Sequence, residues 1–362
     1  MVLSGGVAIV GGGLIGSSAA LALADGGADV VLITQPRPGA ASGAAAGMLA
    51  PSVELGTPQM RELAAASRDM YPEFIAQLEA RTGIGIELNR AGILELASNS
   101  AHATELAARA QRSGGWLESH DVTALEPGLV AHNGAALWPR DGAVDNTQLL
   151  SALQAALRAQ PRVRICGAAA DSLIVSPRHA SVLASDGTRV DAERVVVAAG
   201  AWSGELPGAA LAGAVEPVRG QLVEFDRRPL SHVVYASGYY LVPRGRRTIG
   251  GSTMERVGFD SSTTEHGVAT LMTAATRLCP GLSRASARAW AGLRPVTRDM
   301  LPLIGPDPRN PSVIYACGHS RNGVLLAPLT ALLLKELIFE EPLTFDAAQF
   351  RPDRFGGTFT VT

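Results

Sequence analysis

The chain contains 362 residues, of which 47% are hydrophobic, and its formal net charge at pH 7 is −2. This length allows one large or two medium domains around a substantial core. The near-neutral charge argues against a general affinity for nucleic acid or anionic membranes, so we expect a small-molecule partner.

The first predicted element is a strand, a turn and a helix at the start of the chain. The apolar run at residues 7–10 enters Gly11-Gly12-Gly13-Leu14-Ile15-Gly16, a helical pattern follows, and residues 29–33 return as a second strand. Glycines in this spacing suit a tight turn, close approach of the backbone to a pyrophosphate, and packing of helix on strand. We interpret the unit as a dinucleotide site with the phosphates at a helix N-terminus.

The end of the second predicted strand departs from this fingerprint. Thr34 stands eighteen positions after Gly16, where an acidic residue usually holds the ribose, and Gln35 follows it. A hydroxyl binds a ribose without charge assistance, so we expect it to hold the cofactor less strongly than a carboxylate would.

A run of small residues follows at positions 40–51, with the sequence AASGAAAGMLAP. Its composition alone is compatible with a flexible linker, the start of an alanine-rich helix, or a loop whose backbone passes close to a flat ligand. The residues by themselves leave these alternatives open.

The middle of the chain alternates predicted helices and strands. Thr57 is placed to cap a helix that ends before Gly83. Asp145 and Asn146 are both placed to cap a second helix, through Leu157, and Gln148 is placed to form a capping box on Asp145. The remaining predictions here are a strand pair within 86–96, a helix at 101–112, a strand region at 137–144, and short strands at 163–165, 172–175, 181–184 and 189–190 before a buried strand that begins at residue 195.

The last third predicts antiparallel strands and a return to a strand and helix. The strands lie at residues 221–225, 239–242 and 248–252, and a helix covers 263–279. After residues 290–294 and a proline-rich stretch, a strand at 313–317 leads through a glycine-rich loop to a final helix with Pro328 in its first turn. We therefore predict an α/β fold with mixed α+β character. A Rossmann-type nucleotide domain (1–84, 143–210 and 288–362) is interleaved with a second domain on an antiparallel sheet (85–142 and 211–287).

Cysteine usage and the absence of a targeting signal suggest a location. The three cysteines are scattered without a C-x-x-C pair, which predicts neither a metal site nor a disulfide framework and fits a reducing cytosol. The N-terminus has no basic signal-peptide region, and no apolar stretch is long enough to span a membrane. We expect a soluble cytoplasmic protein.

Several stretches together resemble the FAD-dependent amino acid oxidases, the family that includes D-amino acid oxidase, sarcosine oxidase and glycine oxidase. Within this family, they most resemble the glycine oxidases of the thiamine pathway. The stretches are the glycine turn, the small-residue run at 44–51, VVVAAGAWS at 195–203, GLRP at 292–295, GHSRNGVLLAP at 318–328 and ALWPRDGAVD at 136–145. The resemblance covers nearly the whole chain and favours the loop interpretation of residues 44–48.

The resemblance implies FAD as cofactor. It implies a non-covalent flavin, because the sarcosine oxidase relatives attach theirs to a cysteine near the position of Gly292. The cofactor-binding residues that it implies are Gly11, Gly13, Leu14, Ile15, Gly16, Thr34, Gln35, Ser42, Ala45, Ala46, Gly47, Met48, Ala170, Gly200, Trp202, Arg321, Asn322, Gly323, Val324 and Leu325.

The resemblance also implies a substrate site. Arg294 matches the arginine that pairs with the substrate carboxylate, Tyr240 matches the tyrosine that hydrogen-bonds it, and Tyr235 and Met254 fall on the pocket walls. His319 is expected to support its loop rather than to act as a base. The implied reaction is hydride transfer from a small amino acid to the flavin, imine hydrolysis, and reoxidation by oxygen to give hydrogen peroxide.

Glycine is the leading substrate on this interpretation, with sarcosine or another N-substituted glycine next. A dehydrogenase that passes electrons from a D-amino acid to another acceptor shares nearly every motif and stays open. A non-catalytic nucleotide-binding protein is a further alternative for the function. The oligomeric state stays open, and it includes a homo-oligomer.

Overall fold

A computed structural model describes residues 1–53, 56–176 and 179–355. The helices are α1 (Leu14–Asp25), α2 (Ala41–Ala44), α3 (Pro58–Thr82), α4 (Ser100–Ala110), α5 (Ser119–Leu125), α6 (Asn146–Ala159), α7 (Glu265–Leu278) and α8 (Ala327–Ile338). The strands are β1 (Val2–Val10), β2 (Val30–Ile33), β3 (Met48–Leu49), β4 (Leu88–Asn89), β5 (Ile93–Leu96), β6 (Gly115–Leu117), β7 (Ala135–Trp138), β8 (Gly142–Val144), β9 (Val163–Cys166), β10 (Ala170–Val175), β11 (Ala180–Ala184), β12 (Arg189–Val197), β13 (Glu216–Phe225), β14 (Val233–Ala236), β15 (Tyr239–Arg244), β16 (Arg247–Gly251), β17 (Ala287–Val296), β18 (Leu303–Pro306) and β19 (Val313–Cys317).

The first sheet is built on parallel strands in the order β9-β2-β1-β12-β19, with β10, β11 and β18 added antiparallel. The residue pattern separates 189–190 from the strand that begins at 195, but β12 is one strand. Its first half pairs with β11 and alternates polar and buried residues, whereas its second half pairs with β19 and is wholly buried. A strand with one exposed face alternates polar and apolar residues, so the polar residues in the first half of β12 resemble the end of a strand in the sequence.

The second sheet has the order β17-β13-β16-β15-β14-β5-β7-β6 and is antiparallel except where β14 runs parallel to β5. β17 belongs to this sheet through its pairing with β13, although the boundary predicted at residue 288 puts it in the nucleotide domain. Two strands occur within 86–96 as predicted, but they do not pair with each other, because β4 pairs with β8 and β5 pairs with β7 and β14. A local pattern shows that these strands exist, but long-range contacts choose their partners.

The two faces of the first sheet carry separate apolar cores. Residues of α1, α3, α6 and α8 pack on one face and form what we call the first core, where Tyr71 is fully buried. Small and branched residues around Tyr315 form the second core on the other face. None of the helices in the described part of the chain is long and apolar enough to cross a membrane.

The helix ends confirm some of the predicted chemistry and correct one detail. Thr57 caps α3 by accepting the N–H of Met60 at 3.1 Å, and Gly83 ends the helix in the left-handed conformation at φ +70°. Asp145 caps α6 by accepting the N–H groups of Thr147 and Gln148. The predicted capping box is incomplete, because the Gln148 side chain accepts the N–H of Glu87 instead, at 2.7 Å.

Candidate active site

A cavity of about 770 Å³ lies where the carboxyl ends of the parallel strands meet the second sheet; we call it the central cavity. Its lining comes from the ends of β1, β2, β12 and β19, from the small-residue run, and from β13, β15 and β17. Ligands of α/β proteins bind at this edge of the sheet, and the volume is in the range of cofactor sites. The fold therefore brings motifs that are distant in sequence into one site.

The glycine turn forms one end of the central cavity. Gly11 has φ +110°, and a Cβ there would lie 2.3 Å from the Ala198 carbonyl oxygen. A Cβ on Gly16 would lie 1.9 Å from the Gly11 carbonyl oxygen, so Gly16 permits packing and does not itself line the cavity. The first turn of α1 contains no acidic side chain, which leaves its positive end for an anionic ligand. These features fit a pyrophosphate.

The ribose position is neutral at the strand end, as the sequence indicates. Thr34 lines the central cavity, its backbone N–H donates to the Cys166 carbonyl oxygen at 2.9 Å, and its side chain packs over Gly12. Asp171 and Glu205 are the acidic residues among the described lining residues, and both come from other elements. The guanidinium of Arg37 lies 5.3 Å from the ring centroid of Trp202, and both residues line the same region.

The small-residue run is an ordered loop along the central cavity rather than a flexible linker. It contains α2 and β3, and the Ser42 hydroxyl accepts the Leu14 N–H at 2.9 Å, which ties the run to the glycine turn. Trp290 donates its indole N–H to the Ala44 carbonyl oxygen at 2.9 Å. Side chains of one or two atoms leave the backbone open to a flat ligand here.

A partly buried arginine that the sequence motifs do not single out is hydrogen-bonded to this run. Arg244 donates to the Ala46 carbonyl oxygen at 2.7 Å and to the Asn146 Oδ1 at 2.6 Å. Asn146 in turn donates to the Ser42 carbonyl oxygen at 2.7 Å. Burial lowers the pKa of Arg244, which its carboxylate neighbours oppose. The one sequence signal is a cation that ends an otherwise apolar strand, YYLVPR.

Arg294 and Tyr240 lie at the other end of the central cavity, on the second sheet. Arg294 is half-buried on β17, and its guanidinium donates to the Ser252 hydroxyl at 2.6 Å and to the Thr253 carbonyl oxygen at 3.1 Å. Tyr240 is 8% exposed on β15, with its ring over Gly251. Guanidinium N–H groups and a phenol hydroxyl at one end of a cavity can both donate hydrogen bonds to a small carboxylate.

Most predicted site residues meet in this cavity, but four do not line it. Tyr235 packs into the core of the second sheet, Met254 is 54% exposed, Leu325 is buried in the first core, and Gly16 packs against Gly11. The predicted cofactor and substrate residues that do line it are Gly11, Gly13, Leu14, Ile15, Thr34, Gln35, Ser42, Ala45, Ala46, Gly47, Met48, Ala170, Gly200, Trp202, Tyr240, Arg294, Arg321, Asn322, Gly323 and Val324. Motif position alone cannot show which way a wall residue turns.

The loop before α8 is anchored on the side away from the cavity. Ser67 donates its hydroxyl to the Leu325 carbonyl oxygen at 2.7 Å, and the Tyr71 hydroxyl donates to the Val324 carbonyl oxygen. Both donors lie on α3, which packs against α8 in the first core. This anchoring gives Arg321 to Val324 a fixed position at the cavity wall.

His319 begins this loop and supports it. The side chain is 2% exposed, and its Nε2 lies 3.0 Å from the Thr330 hydroxyl. Burial lowers the pKa of His319 from 6.5 to about 3. The imidazole is therefore neutral at physiological pH and is unsuited to cycle as an acid and base.

The depressed pKa of His319 predicts a loss of stability in acid. Between pH 6.5 and about 3, His319 is protonated in the unfolded chain but stays neutral in the folded chain. We expect the free energy of unfolding to fall by up to about 1.4 kcal/mol per pH unit from this residue as pH drops through that window. Urea unfolding at pH 7.5 and 5.5 should show a weaker pH dependence for His319→Gln than for the unaltered chain. Equal dependence in both would contradict the assignment.

Comparison with known proteins identifies the family. Residues 6–337 match the family described as "DAO: FAD dependent oxidoreductase". The crystal structure of glycine oxidase from Geobacillus kaustophilus superimposes with a TM-score of 0.91 at 33% identity, covering 98% of this chain and 100% of that one. The crystal structure of iminodiacetate oxidase (IdaA) from Chelativorans sp. BNC1 gives a TM-score of 0.87 at 27% identity, covering 96% and 98%.

A longer relative matches as well. The bifunctional protein ThiO/ThiG of Synechocystis sp. is 35% identical over 96% of this chain, which spans 54% of that relative's length. The chain thus corresponds to about half of such two-function proteins. With the matched family profile covering most of its length, and with the glycine turn and the small-residue run in one cavity, the chain belongs to the DAO family of FAD-dependent oxidoreductases.

Proposed function

We propose that this chain oxidises glycine, or a glycine with a small substituent on nitrogen. The products are a glyoxylate-type 2-oxo acid, ammonia or an amine, and hydrogen peroxide, with oxygen as the terminal acceptor. The observation that carries the proposal is that Arg294 and Tyr240 line the same cavity as the nucleotide-binding turn. The glycine oxidase and the iminodiacetate oxidase that this chain resembles support a substrate of this class.

The residues present fit a non-covalent FAD. Any Cβ on Gly11 or Gly16 would collide with backbone, and the small-residue run and the loop 321–324 would hold the ring system. Position 292, where a cysteine would form the covalent link, is a glycine, and a Cβ there would lie 2.5 Å from the Ala44 methyl carbon. When bound, FAD supplies the two-electron acceptor that the oxidation requires.

The chain's own contribution is to bind and orient the substrate. Arg294 would bind the carboxylate through its guanidinium, and the Tyr240 hydroxyl would donate a further hydrogen bond. Fixing the carboxylate fixes the α-carbon relative to the cavity wall formed by Ala46 and Met48. Because burial lowers the pKa of His319 to about 3, its imidazole is a weak base, and its Nε2 contacts the Thr330 hydroxyl, so we assign it no proton transfer from the substrate.

A panel of amines tests the proposal directly. The purified yellow protein is mixed with glycine, sarcosine, iminodiacetate, D-alanine or D-proline, and peroxide and dye reduction are both measured. Peroxide formation with glycine or an N-substituted glycine supports the proposal. Rapid dye reduction with feeble oxygen consumption favours a dehydrogenase, and an unchanged flavin spectrum after anaerobic addition of every amine rejects catalysis. Acid precipitation should release the yellow colour from the protein.

The ribose position provides a prediction on cofactor affinity. Replacing Thr34 with glutamate supplies the charge-assisted hydrogen bond that the family fingerprint carries there. We expect Thr34→Glu to lower the Kd for FAD about tenfold, as measured by quenching of FAD fluorescence on titration with the apoprotein. Thr34→Gln has nearly the same length without the charge and serves as control. Equal affinities of the two variants would refute the expected role of charge.

A further inference from the structure

The Arg294 side chain lies across a glycine of the neighbouring strand. In the antiparallel pairing of β13 with β17, Val218 faces Arg294 and Gly220 faces Gly292. A Cβ on Gly220 would lie 1.9 Å from Arg294 Nη1 and 2.4 Å from its Cζ. The guanidinium therefore rests directly on the Gly220 backbone, in space that any side chain would fill.

The Arg294 side chain passes over Gly220, and its guanidinium reaches Ser252 and Thr253 in the segment that follows β16. There Nη2 donates to the Ser252 hydroxyl at 2.6 Å, and Nη1 donates to the Thr253 carbonyl oxygen at 3.1 Å. Ser252 itself lines the central cavity beside Arg294 and Tyr240. The Gly220 backbone thus supports the guanidinium group, and hydrogen bonds to the Ser252 hydroxyl and the Thr253 carbonyl oxygen hold its two terminal nitrogens.

The segment that carries Ser252 is fastened to β13. Thr253 donates its N–H to the Gln221 carbonyl oxygen at 3.3 Å, and the Gln221 N–H donates to the Thr253 hydroxyl at 2.9 Å. Arg219 and Glu255 exchange backbone hydrogen bonds of 2.8 and 2.9 Å. The Arg219 side chain is 5% exposed and is paired with Glu255 and Asp260. This anchoring keeps Ser252 at a fixed distance from Gly220.

The geometry assigns Gly220 and Ser252 as positioning residues that place the Arg294 guanidinium for the substrate carboxylate. The assignment rests on the proposed function, in which Arg294 binds that carboxylate. Gly220 acts by leaving space and Ser252 by accepting a charged hydrogen bond, and neither needs to touch the substrate. Substrate affinity should then depend on residues one strand away from the arginine itself.

Two variants test the assignment. Gly220→Ala should fold, because its new methyl group meets the flexible end of Arg294 rather than backbone. The displaced guanidinium should lower kcat/KM for glycine about 100-fold, since a shift of about one ångström in a positioning group has effects of this size. Ser252→Ala should raise the KM about tenfold with kcat within about twofold, as expected for a lost hydrogen bond to a charged group.

A double-variant cycle separates positioning from general damage. If Ser252 acts through Arg294, adding Ser252→Ala to Arg294→Ala should change kcat/KM by less than about twofold. The Kd of acetate, a carboxylate with the carbon skeleton of glycine, is measured in the same variants from its effect on the flavin spectrum and should rise with the KM. Gly281→Ala, at a surface glycine with open space around it, and Ser151→Ala, on α6, are the matched controls.

The outcomes are distinct. An additive effect in the cycle, or Gly220→Ala and Ser252→Ala variants with unchanged KM and acetate Kd, would overturn the positioning roles. If Arg294→Ala alone leaves the acetate Kd unchanged, it is the proposed carboxylate site that fails. Flavin content and Tm are recorded for every variant, so that a fall in kcat/KM at full flavin content and unchanged Tm counts for the assignment, and a fall that follows flavin loss counts against it.

Discussion

Replacing Arg294 with alanine should lower kcat/KM for glycine about 1,000-fold while the protein keeps its flavin. The guanidinium lies at the end of the central cavity away from the glycine turn, so its removal spares the nucleotide contacts. Truncating one partner of a desolvated charge pair costs about 2–5 kcal/mol, and 1,000-fold corresponds to about 4 kcal/mol. Steady-state peroxide production with glycine, together with the flavin spectrum, measures both expectations.

Two companion variants define what Arg294 contributes. Arg294→Lys keeps the charge but loses the planar fork, and we expect an intermediate loss of about 10- to 100-fold. Arg256→Met removes an exposed arginine that pairs with Glu216 near the same segment, and it should leave kcat/KM within about twofold. Wild-type turnover in Arg294→Ala at full flavin content would remove the carboxylate assignment.

The sequence predicts the cofactor half of the site better than the substrate half. Strand, glycine turn and helix are local features, so the residues alone are enough to place Gly11 and the neutral Thr34. The small-residue run at 40–51 is ambiguous by composition, and the family resemblance favours the loop that the structure contains. Local chemistry thus specifies the turn, whereas the conformation of the run depends on its tertiary partners.

The substrate half depends on pairings between distant strands. Tyr240 and Arg294 line the same cavity because β15, β16, β13 and β17 are neighbours in one sheet, an order that no local pattern contains. Motif matching does not show the direction of a side chain either: the resemblance puts Met254 on a pocket wall, but it is 54% exposed and does not line the central cavity. The supporting residue Ser252 carries no signal of its own, because a serine in a loop is ordinary.

The same limit explains why the sequence does not reveal the cation behind the small-residue run. Arg244 ends a strand of the second sheet, and its partners are Ala46 in the small-residue run and Asn146 at the start of α6. A single arginine after apolar residues most often turns to solvent. Here it joins the two halves of the molecule, so the geometry of the cofactor wall depends on a residue of the substrate sheet.

Replacing Arg244 with methionine should therefore weaken FAD binding more than any substitution of similar size on the same hairpin. Methionine fills much of the volume but leaves the Ala46 carbonyl oxygen and Asn146 Oδ1 without their 2.7 and 2.6 Å donors. Unpaired buried acceptors cost about 1–3 kcal/mol each, and the loop can relieve that cost by shifting toward water. We expect a rise of about 100-fold in the Kd for FAD, measured by fluorescence titration of the apoprotein.

Arg247 supplies the matched control for this prediction, because it lies on the same hairpin with its side chain 56% exposed and paired with Glu224. Arg247→Met should change the Kd for FAD by less than about twofold, since Glu224 keeps its ion pair with Arg288 and Arg247 makes no contact with the small-residue run in the described hydrogen bonds. Arg244→Lys can reach one acceptor but not both, so its Kd should lie between those of the unaltered chain and Arg244→Met. If Arg244→Met binds FAD as tightly as Arg247→Met, the small-residue run holds its position without the arginine, and its contacts with Trp290 and Leu14 must suffice.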